Sequence, residues 1–267
     1  MISTLFSIAK EAGERILDYY GAEGPVDRKA DNSPLTLADR ASHAYIVQQL
    51  RRNWPDIPVL SEESPEEDYA ERASWKRFWL VDPLDGTKEF IKRTGEFTIN
   101  IALIEEGHPI VWLVYVPVKQ WTYFAKKEQG AYYTESGLEE AQAIHTDRVE
   151  NPQKLRVVAS RDHAGPAVRA LLEALPEAET RSMGSSLKFC LVAEGKADLY
   201  FRDVPTMEWD TAAAQCIVEE AGGGVFTVSG EPLTYNKSSL RNPSLVTVGD
   251  LSFRWKPLIR QALEEAA

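Results

Sequence analysis

A series of apolar, β-rich runs in the first half of the chain sets the tightest limit on its fold. Residues 97–104 and 110–116 form two such runs, and residues 105–109 between them are typical of a hairpin connection. Residues 121–125 and 131–134 continue the series. Together these runs predict an antiparallel meander of at least four strands.

Helices and further strands flank this meander. Apolar residues at helical spacing over positions 2–20, and Thr36 followed three residues later by Asp39 as a capping box, predict two helices before it. In the second half we predict strands at residues 155–159, 198–201, 224–228 and 245–248, and helices at residues 164–175, 185–195 and 209–222 and from residue 253. The pattern favours a layered α/β (α+β) fold. A polar stretch near residues 135–153 divides it into an N-terminal α+β subdomain (1–150) and a C-terminal α/β subdomain (151–267).

The charge balance argues against one class of partner. The 267 residues carry a formal net charge of −11, so no strong basic field is present that would bind a nucleic-acid polymer. The N-terminus lacks a basic leader, and no apolar run reaches the ~18 residues of a transmembrane segment. We therefore expect a cytoplasmic protein, with peripheral association at the inner membrane left open. Cys190 and Cys216 fall in apolar, helical surroundings and are expected to be free, buried thiols.

Two carboxylates follow the strand predicted at residues 78–81. Asp82 and Asp85 lie on a segment that contains Pro83 and Gly86, and Pro83 is expected to end the strand. Carboxylates held three residues apart at the mouth of a strand are well placed to share a hard divalent cation. Asp and Gly are also ordinary turn residues, so this segment alone leaves both readings open.

Further acidic residues at element ends allow the same two readings. Glu62 follows a short strand and Asp210 begins a helix, and with Asp82 and Asp85 they would form an all-oxygen site for Mg²⁺. Each also has an ordinary explanation, because glutamates past a strand are usually solvated and an aspartate stabilises a helix start. No Cys/His cluster with zinc spacing, Ser-His-Asp order or glycine-rich phosphate loop is present in the sequence.

Four motifs, in order along essentially the whole chain, resemble those of the inositol monophosphatase superfamily of magnesium-dependent, lithium-sensitive phosphatases. They are Asp31-Asn-Ser-Pro-Leu-Thr-Leu-Ala-Asp39, Leu60-Ser-Glu-Glu-Ser64, Trp79-Leu-Val-Asp-Pro-Leu-Asp-Gly-Thr87 and Trp209-Asp-Thr-Ala-Ala213. The segments Thr87–Phe97 and Gly184–Cys190 resemble the bacterial, CysQ-type branch, the 3′(2′),5′-bisphosphate nucleotidases.

The resemblance implies a fold, a cofactor and a set of roles. The fold would be a sugar-phosphatase-like αβαβα sandwich, with the antiparallel meander in the N-terminal half and a mixed sheet in the C-terminal half. Two or three Mg²⁺ ions would bind Glu62, Asp82, the Leu84 carbonyl, Asp85 and Asp210. Asp39, Thr87 and Glu62 would be catalytic, with Thr87 and Asp39 orienting and deprotonating a metal-activated water that attacks the phosphate in line.

The expected substrate is a phosphorylated nucleotide. The residues expected near it are Gly86, Thr87, Lys88, Ser160, His163, Ser185, Ser186, Lys188 and Arg202. The leading reaction is removal of the 3′-phosphate of adenosine 3′,5′-bisphosphate, with 3′-phosphoadenylyl sulfate as another substrate of the same sulfur metabolism. An inositol or other sugar-phosphate phosphatase is the alternative within the superfamily, and a catalytically silent nucleotide- or metal-binding protein is the alternative of another class.

Overall fold

The structure, a computed structural model, describes residues 1–21, 26–28, 34–64, 69–159 and 164–267. The helices in these ranges are α1 (Ile2–Leu17), α2 (Leu37–Asn53), α3 (Tyr69–Arg72), α4 (Thr87–Ile91), α5 (Pro166–Ala174), α6 (Leu187–Ala193), α7 (Glu208–Glu220) and α8 (Trp255–Glu265). The strands are β1 (Val26–Arg28), β2 (Pro34–Thr36), β3 (Val59–Ser61), β4 (Arg77–Asp85), β5 (Thr98–Glu105), β6 (His108–Val116), β7 (Trp121–Lys126), β8 (Ala131–Thr134), β9 (Gln142–Ile144), β10 (Arg156–Ala159), β11 (Glu179–Ser182), β12 (Leu199–Arg202), β13 (Thr206–Met207), β14 (Gly224–Thr227), β15 (Arg241–Asn242) and β16 (Leu245–Val248).

The first sheet contains the predicted meander. Its seven strands lie in the order β3-β4-β5-β6-β7-β8-β9, and each pair is antiparallel except β3 with β4, which is parallel. The meander is therefore confirmed, and β9 extends it into the polar stretch that the sequence suggested as a boundary. All strands of this sheet precede residue 150, whereas the subdomain division itself stays a prediction.

The second sheet is mixed, as the resemblance implied. Its order is β11-β10-β12-β16-β14, with β10 parallel to β11 and β12, and β16 antiparallel to both of its neighbours. The sequence pattern did not predict β11. All four of its residues are exposed, so its sequence lacks the apolar alternation from which a strand is recognised.

Three apolar clusters define five layers. The first joins α1 and α2 to one face of the seven-stranded sheet. The second places α6 and α7 between the two sheets, and the third packs α5 and α8 on the outer face of the five-stranded sheet. The αβαβα order is therefore confirmed. Its middle layer matters for the site, because α6 and α7 both begin at the same edge of the sandwich.

One predicted strand end is wrong. The sequence placed it at Asp82-Pro83, but β4 continues to Asp85. Proline is tolerated there because the pairing with β5 shifts register between Asp82 and Asp85, so Pro83 forms no ladder pair. On the other side of β4, the pairing with β3 ends at Val81. The irregular segment that results carries the acidic residues out of the sheet.

Several smaller expectations can also be placed. Tyr69–Arg72 forms one short helix directly after residues 65–68, which lie outside the described ranges. Cys190 and Cys216 are free and buried, as predicted. No helix in the described part of the chain combines the length and apolar character needed to cross a membrane.

Candidate active site

The irregular end of β4 presents Asp82 and Asp85. The Asp82 Oδ1 atom accepts a hydrogen bond from the Leu84 amide at 3.1 Å, which closes a tight turn around Pro83. The Ser42 hydroxyl of α2 donates to the Pro83 carbonyl at 2.7 Å and anchors the same turn. Gly86 follows with φ at +94°, a left-handed conformation that favours glycine, and α4 begins directly after it.

A third carboxylate comes from the start of α7. The Asp210 Oδ2 atom accepts the Met207 amide at 2.8 Å and so caps the helix. Asp82, Asp85 and Asp210 each offer one oxygen, and these three oxygens lie within 4.8 Å of one another. The Glu62 amide donates to the Val81 carbonyl at 3.0 Å, and the Glu62 carboxyl shares a hydrogen bond with Asp82. The structure thus brings these four acidic residues into one group.

The electrostatics of this group suit a cation. Asp82 is buried, and burial together with the charges of Glu62 and Asp85 raises its pKa well above the usual range. Burial, Asp85 and Glu62 also raise the pKa of Asp210 to about 8. Both shifts report negative charge that is poorly compensated by protein groups. A hard divalent cation would compensate it, and carboxylate oxygens are the ligands that Mg²⁺ takes, so the residues present fit the implied metal.

Asp39 and Thr87 form a hydrogen-bonded pair beside the carboxylates. The Thr87 hydroxyl lies 3.2 Å from Asp39 Oδ1 and 3.5 Å from the Leu84 carbonyl. The other oxygen of Asp39 accepts from the amide and hydroxyl of Thr36, at 2.7 and 2.5 Å, in the predicted capping box. One carboxylate therefore both begins α2 and contacts Thr87, and the two readings of Asp39 are compatible.

Three residues hold the Asp85 carboxylate from the side of the sheet and from α6. Its Oδ2 atom lies 2.7 Å from the Ser186 amide, 2.9 Å from the Ser186 hydroxyl and 3.3 Å from Asn100 Nδ2, with the Thr98 hydroxyl at 3.5 Å. Thr98 and Asn100 were not predicted from the sequence as site residues. A signal was available, because these are polar residues at alternate positions of an otherwise apolar strand, both on one face.

A cleft of about 250 Å³ opens beside the acidic group. The residues predicted near a substrate that line it are Gly86, Thr87, Lys88, Ser185, Ser186, Lys188 and Arg202, and the cleft is also lined by Asp85 and Asp210. Three of them are cationic, namely Lys88, Lys188 and Arg202, and we call the part of the lining formed by Lys188 and Arg202 the positive wall. Lys188 Nζ donates to the Ser185 carbonyl at 2.6 Å, and burial lowers the pKa of this lysine to about 8.

Ser185 has an unusual position at the start of this wall. Its φ of +47° is left-handed, and its buried hydroxyl has no hydrogen-bond partner within the described protein. The preceding Gly184 fits only as glycine, because an added Cβ would lie 2.7 Å from both Glu89 Cγ and the Glu96 carbonyl. The Glu96 carboxylate also accepts the Gly184 amide at 2.9 Å. A buried, unpartnered hydroxyl in a strained turn is suited to a polar ligand in the cleft.

Two predicted residues cannot be placed. Ser160 and His163 lie outside the described residues. Of the other predicted positions, Glu62 follows β3, and the rest apart from Arg202 lie at the β4 end or at the starts of α2, α4, α6 and α7. Arg202 follows on β12, where its Nε atom donates to the Val204 carbonyl at 3.1 Å.

The chain resembles known proteins along nearly its whole length. The chain matches the model of the Inositol monophosphatase family over residues 1–266. It is 47% identical over 246 residues to the 3′(2′),5′-bisphosphate nucleotidase CysQ of Escherichia coli (strain K12), an alignment that covers 91% of this chain and 97% of the relative. The protein of the same name from Haemophilus influenzae is 35% identical over 262 residues, with 97% of each chain covered.

Solved structures show the same fold. The crystal structure of CysQ from Bacteroides thetaiotaomicron is 43% identical and superposes with a TM-score of 0.80, covering 92% of this chain and 97% of that one. An IMPase of Thermotoga maritima is only 23% identical but superposes with a TM-score of 0.82 over 100% of this chain and 99% of that one. At that identity the second likeness shows the fold alone.

Proposed function

The chain belongs to the inositol monophosphatase family, and we propose that within it the protein is a magnesium-dependent 3′(2′),5′-bisphosphate nucleotidase. It would hydrolyse the 3′-phosphate of adenosine 3′,5′-bisphosphate to give AMP and phosphate, and 3′-phosphoadenylyl sulfate would be a further substrate. Relatives with this nucleotidase name align over nearly the whole chain at 35% to 48% identity. The observation that carries the proposal is that one cleft is lined both by Asp85 and Asp210 of the acidic group and by Lys188 and Arg202.

The acidic group would hold the metal. Glu62, Asp82, the Leu84 carbonyl, Asp85 and Asp210 would bind two or three Mg²⁺ ions. When bound, these ions supply positive charge that neutralises the phosphate and the chemistry that makes water a nucleophile at neutral pH. Because phosphate monoester hydrolysis is among the slowest uncatalysed reactions, such charge compensation would account for much of the acceleration.

Thr87 and Asp39 would manage the proton of the attacking water. The Thr87 hydroxyl is 3.2 Å from Asp39 Oδ1, so it donates its own proton there and leaves a lone pair that accepts from water. As the water attacks phosphorus and the bond between phosphorus and the ribose 3′ oxygen breaks, the water proton would pass to the Thr87 oxygen and the threonine proton to Asp39. The released 3′ oxygen would take up a proton from solvent water, which completes AMP. The second Asp39 oxygen is already bonded to Thr36, which keeps the carboxylate from turning away.

The positive wall would bind the remaining phosphate charge. The unpartnered Ser185 hydroxyl can donate to a phosphate oxygen, and Lys188 and Arg202 bring cations to the same cleft. An anionic substrate needs this wall because the protein as a whole carries a charge of −11. The cleft would thus bind two anionic groups of a substrate, one at the metals and one at the positive wall. This favours a bisphosphate over a monophosphate.

The test is phosphate release from three substrates with Mg²⁺. We expect adenosine 3′,5′-bisphosphate to be hydrolysed far faster than inositol 1-phosphate or AMP, and lithium to inhibit. Faster hydrolysis of inositol 1-phosphate would move the protein to the sugar-phosphate branch of the family. A protein that binds the nucleotide without hydrolysing it would instead be a binding protein. Asp85→Asn is the matched variant, because it keeps the shape of the side chain while removing the charge that binds the metal.

Two wider expectations belong with this proposal. A cytoplasmic location would place the enzyme where soluble nucleotide bisphosphates arise, and fractionation of cells checks it. The subdomain division near residue 150 would put most metal ligands in the first half and Asp210 with the substrate residues in the second.

A further inference from the structure

Ser186 has a different environment from its neighbour Ser185, although the sequence assigned both to substrate binding. We propose that Ser186 is a positioning residue of the metal centre, which fixes the Asp85 carboxylate relative to the start of α7. This inference rests on the proposed function, because it concerns how the protein prepares the same acidic group for a cation.

The Ser186 hydroxyl is fully engaged by protein groups. The residue is 1% exposed, and its hydroxyl oxygen lies 2.9 Å from Asp85 Oδ2 and 3.0 Å from the Asp210 carbonyl. Asn100 Nδ2 donates to the same hydroxyl at 2.9 Å. A hydroxyl has one proton, so Ser186 donates to one of the two acceptors at a time while it accepts from Asn100. Little capacity is left for a substrate phosphate, whereas the Ser185 hydroxyl has no such partner among the residues that the structure describes.

These bonds also determine how Asp85 is oriented. The backbone amide and hydroxyl of Ser186 and the side-chain amide of Asn100 all lie within hydrogen-bonding distance of one oxygen, Asp85 Oδ2. These contacts fix the rotation of the Asp85 carboxylate and leave its other oxygen, Oδ1, for a cation. Outer groups that orient a ligand in this way commonly set metal affinity.

Ser186 lies where the seven-stranded sheet meets the middle layer of helices, and it contacts acidic residues of both. Asp85 and Asn100 belong to strands of the seven-stranded sheet, whereas Ser186 directly precedes α6 and Asp210 lies in the first turn of α7 in the middle layer. Ser186 touches both sides, since it contacts the Asp85 carboxylate and the Asp210 carbonyl. It therefore connects the Asp85 carboxylate to the backbone at the start of α7, and so links two acidic residues that come from separate layers.

The experiment compares Ser186→Ala with Ser185→Ala as the matched control. Mn²⁺ binding is measured without substrate, by electron paramagnetic resonance of the free ion, and Michaelis constants are measured at saturating Mg²⁺. We expect Ser186→Ala to weaken Mn²⁺ binding about 10- to 100-fold, the usual effect of removing an outer hydrogen bond to a ligand, while the KM for the nucleotide changes little. Ser185→Ala should give the reverse, with unchanged Mn²⁺ affinity and a raised KM.

Two results would overturn the inference, and they differ from failure of the proposed function. One is Mn²⁺ affinity in Ser186→Ala equal to that of the wild type; the other is a raised KM in that variant as its only change, which would make Ser186 a substrate contact. A wild-type protein that binds no Mn²⁺ would overturn the proposed function and this inference together. If Ser186→Ala fails to fold, Ser186→Cys keeps the shape with a weak donor, and the same loss of Mn²⁺ affinity is expected.

Discussion

Replacing Asp210 by asparagine should stabilise the metal-free protein while it abolishes the reaction. The Asp210 carboxyl is surrounded by Asp85 and Glu62, and burial together with those charges raises its pKa from 3.8 to about 8. Folding therefore forces this group to take up a proton or to remain charged beside other charges. Asparagine avoids both costs, and its side-chain oxygen can still accept the Met207 amide that begins α7.

The expected size follows from the pKa shift. A group whose pKa is higher in the folded than in the unfolded state destabilises the fold as pH rises above the unfolded value, and the full penalty is reached above the folded one. At 1.36 kcal/mol per pKa unit, the interval from 3.8 to pH 7 corresponds to about 4 kcal/mol and the interval to pH 5 to about 2 kcal/mol. Asp210→Asn should thus raise the free energy of unfolding by up to these amounts, more at pH 7 than at pH 5.

The assay is urea unfolding followed by tryptophan fluorescence in EDTA, at both pH values. Asp198→Asn is the control, because Asp198 is also buried but is paired with the Arg156 guanidinium, so its replacement should destabilise the protein. Added Mg²⁺ at about 100 times its Kd should stabilise the wild type by about 2.7 kcal/mol and the Asp210 variant much less. An Asp210→Asn protein that is no more stable than the wild type in EDTA at pH 7, or whose gain does not shrink at pH 5, would refute the reasoning.

Three further outcomes are expected. Thr87→Val should lower kcat by about 10²- to 10⁴-fold, the range for a lost proton-transfer group, whereas Thr87→Ser should retain most activity in the same phosphate-release assay. Because the pKa of Lys188 is lowered to about 8, its charge is lost as pH rises through that value, and KM for the nucleotide should rise about fourfold between pH 7 and pH 8.5; Lys188→Arg should show no such rise. Gly184→Ala should cost about 1–3 kcal/mol in thermal or urea unfolding, because the new methyl group meets Glu89 and the Glu96 carbonyl, and an unchanged stability would contradict the packing described.

The sequence predicted a structural feature correctly where that feature depends on residues that are close together in the chain. The capping box at Thr36 and Asp39 was predicted and is present, because it depends on two residues one helical turn apart. The meander was predicted for a similar reason, since apolar alternation is local, whereas the αβαβα layer order was implied by the family resemblance. The family motifs then identified Asp82 and Asp85, and Asp210 far along the chain, as members of one group, which spacing alone could not do.

The remaining features depend on contacts between distant segments. The continuation of β4 past Pro83 depends on a register shift against β5 and on a hydroxyl from α2. The engagement of Ser186 depends on Asn100, which is 86 residues away in sequence. Local sequence near Ser186 predicts a helix start that binds anions, and only the folded chain shows that this hydroxyl is already used.

The two cysteines of the middle layer provide a probe for opening of the layered fold. Cys190 lies on α6 and Cys216 on α7, at 1% and 3% exposure, and burial raises the pKa of both thiols. A thiol reagent reacts with the thiolate, so neither cysteine should be labelled until the two sheets separate. The labelling rates of Cys190 and Cys216 in the native protein would then measure how often the packing around α6 and around α7 opens. A ligand that bridges the layers at the starts of these two helices should slow the labelling of both cysteines.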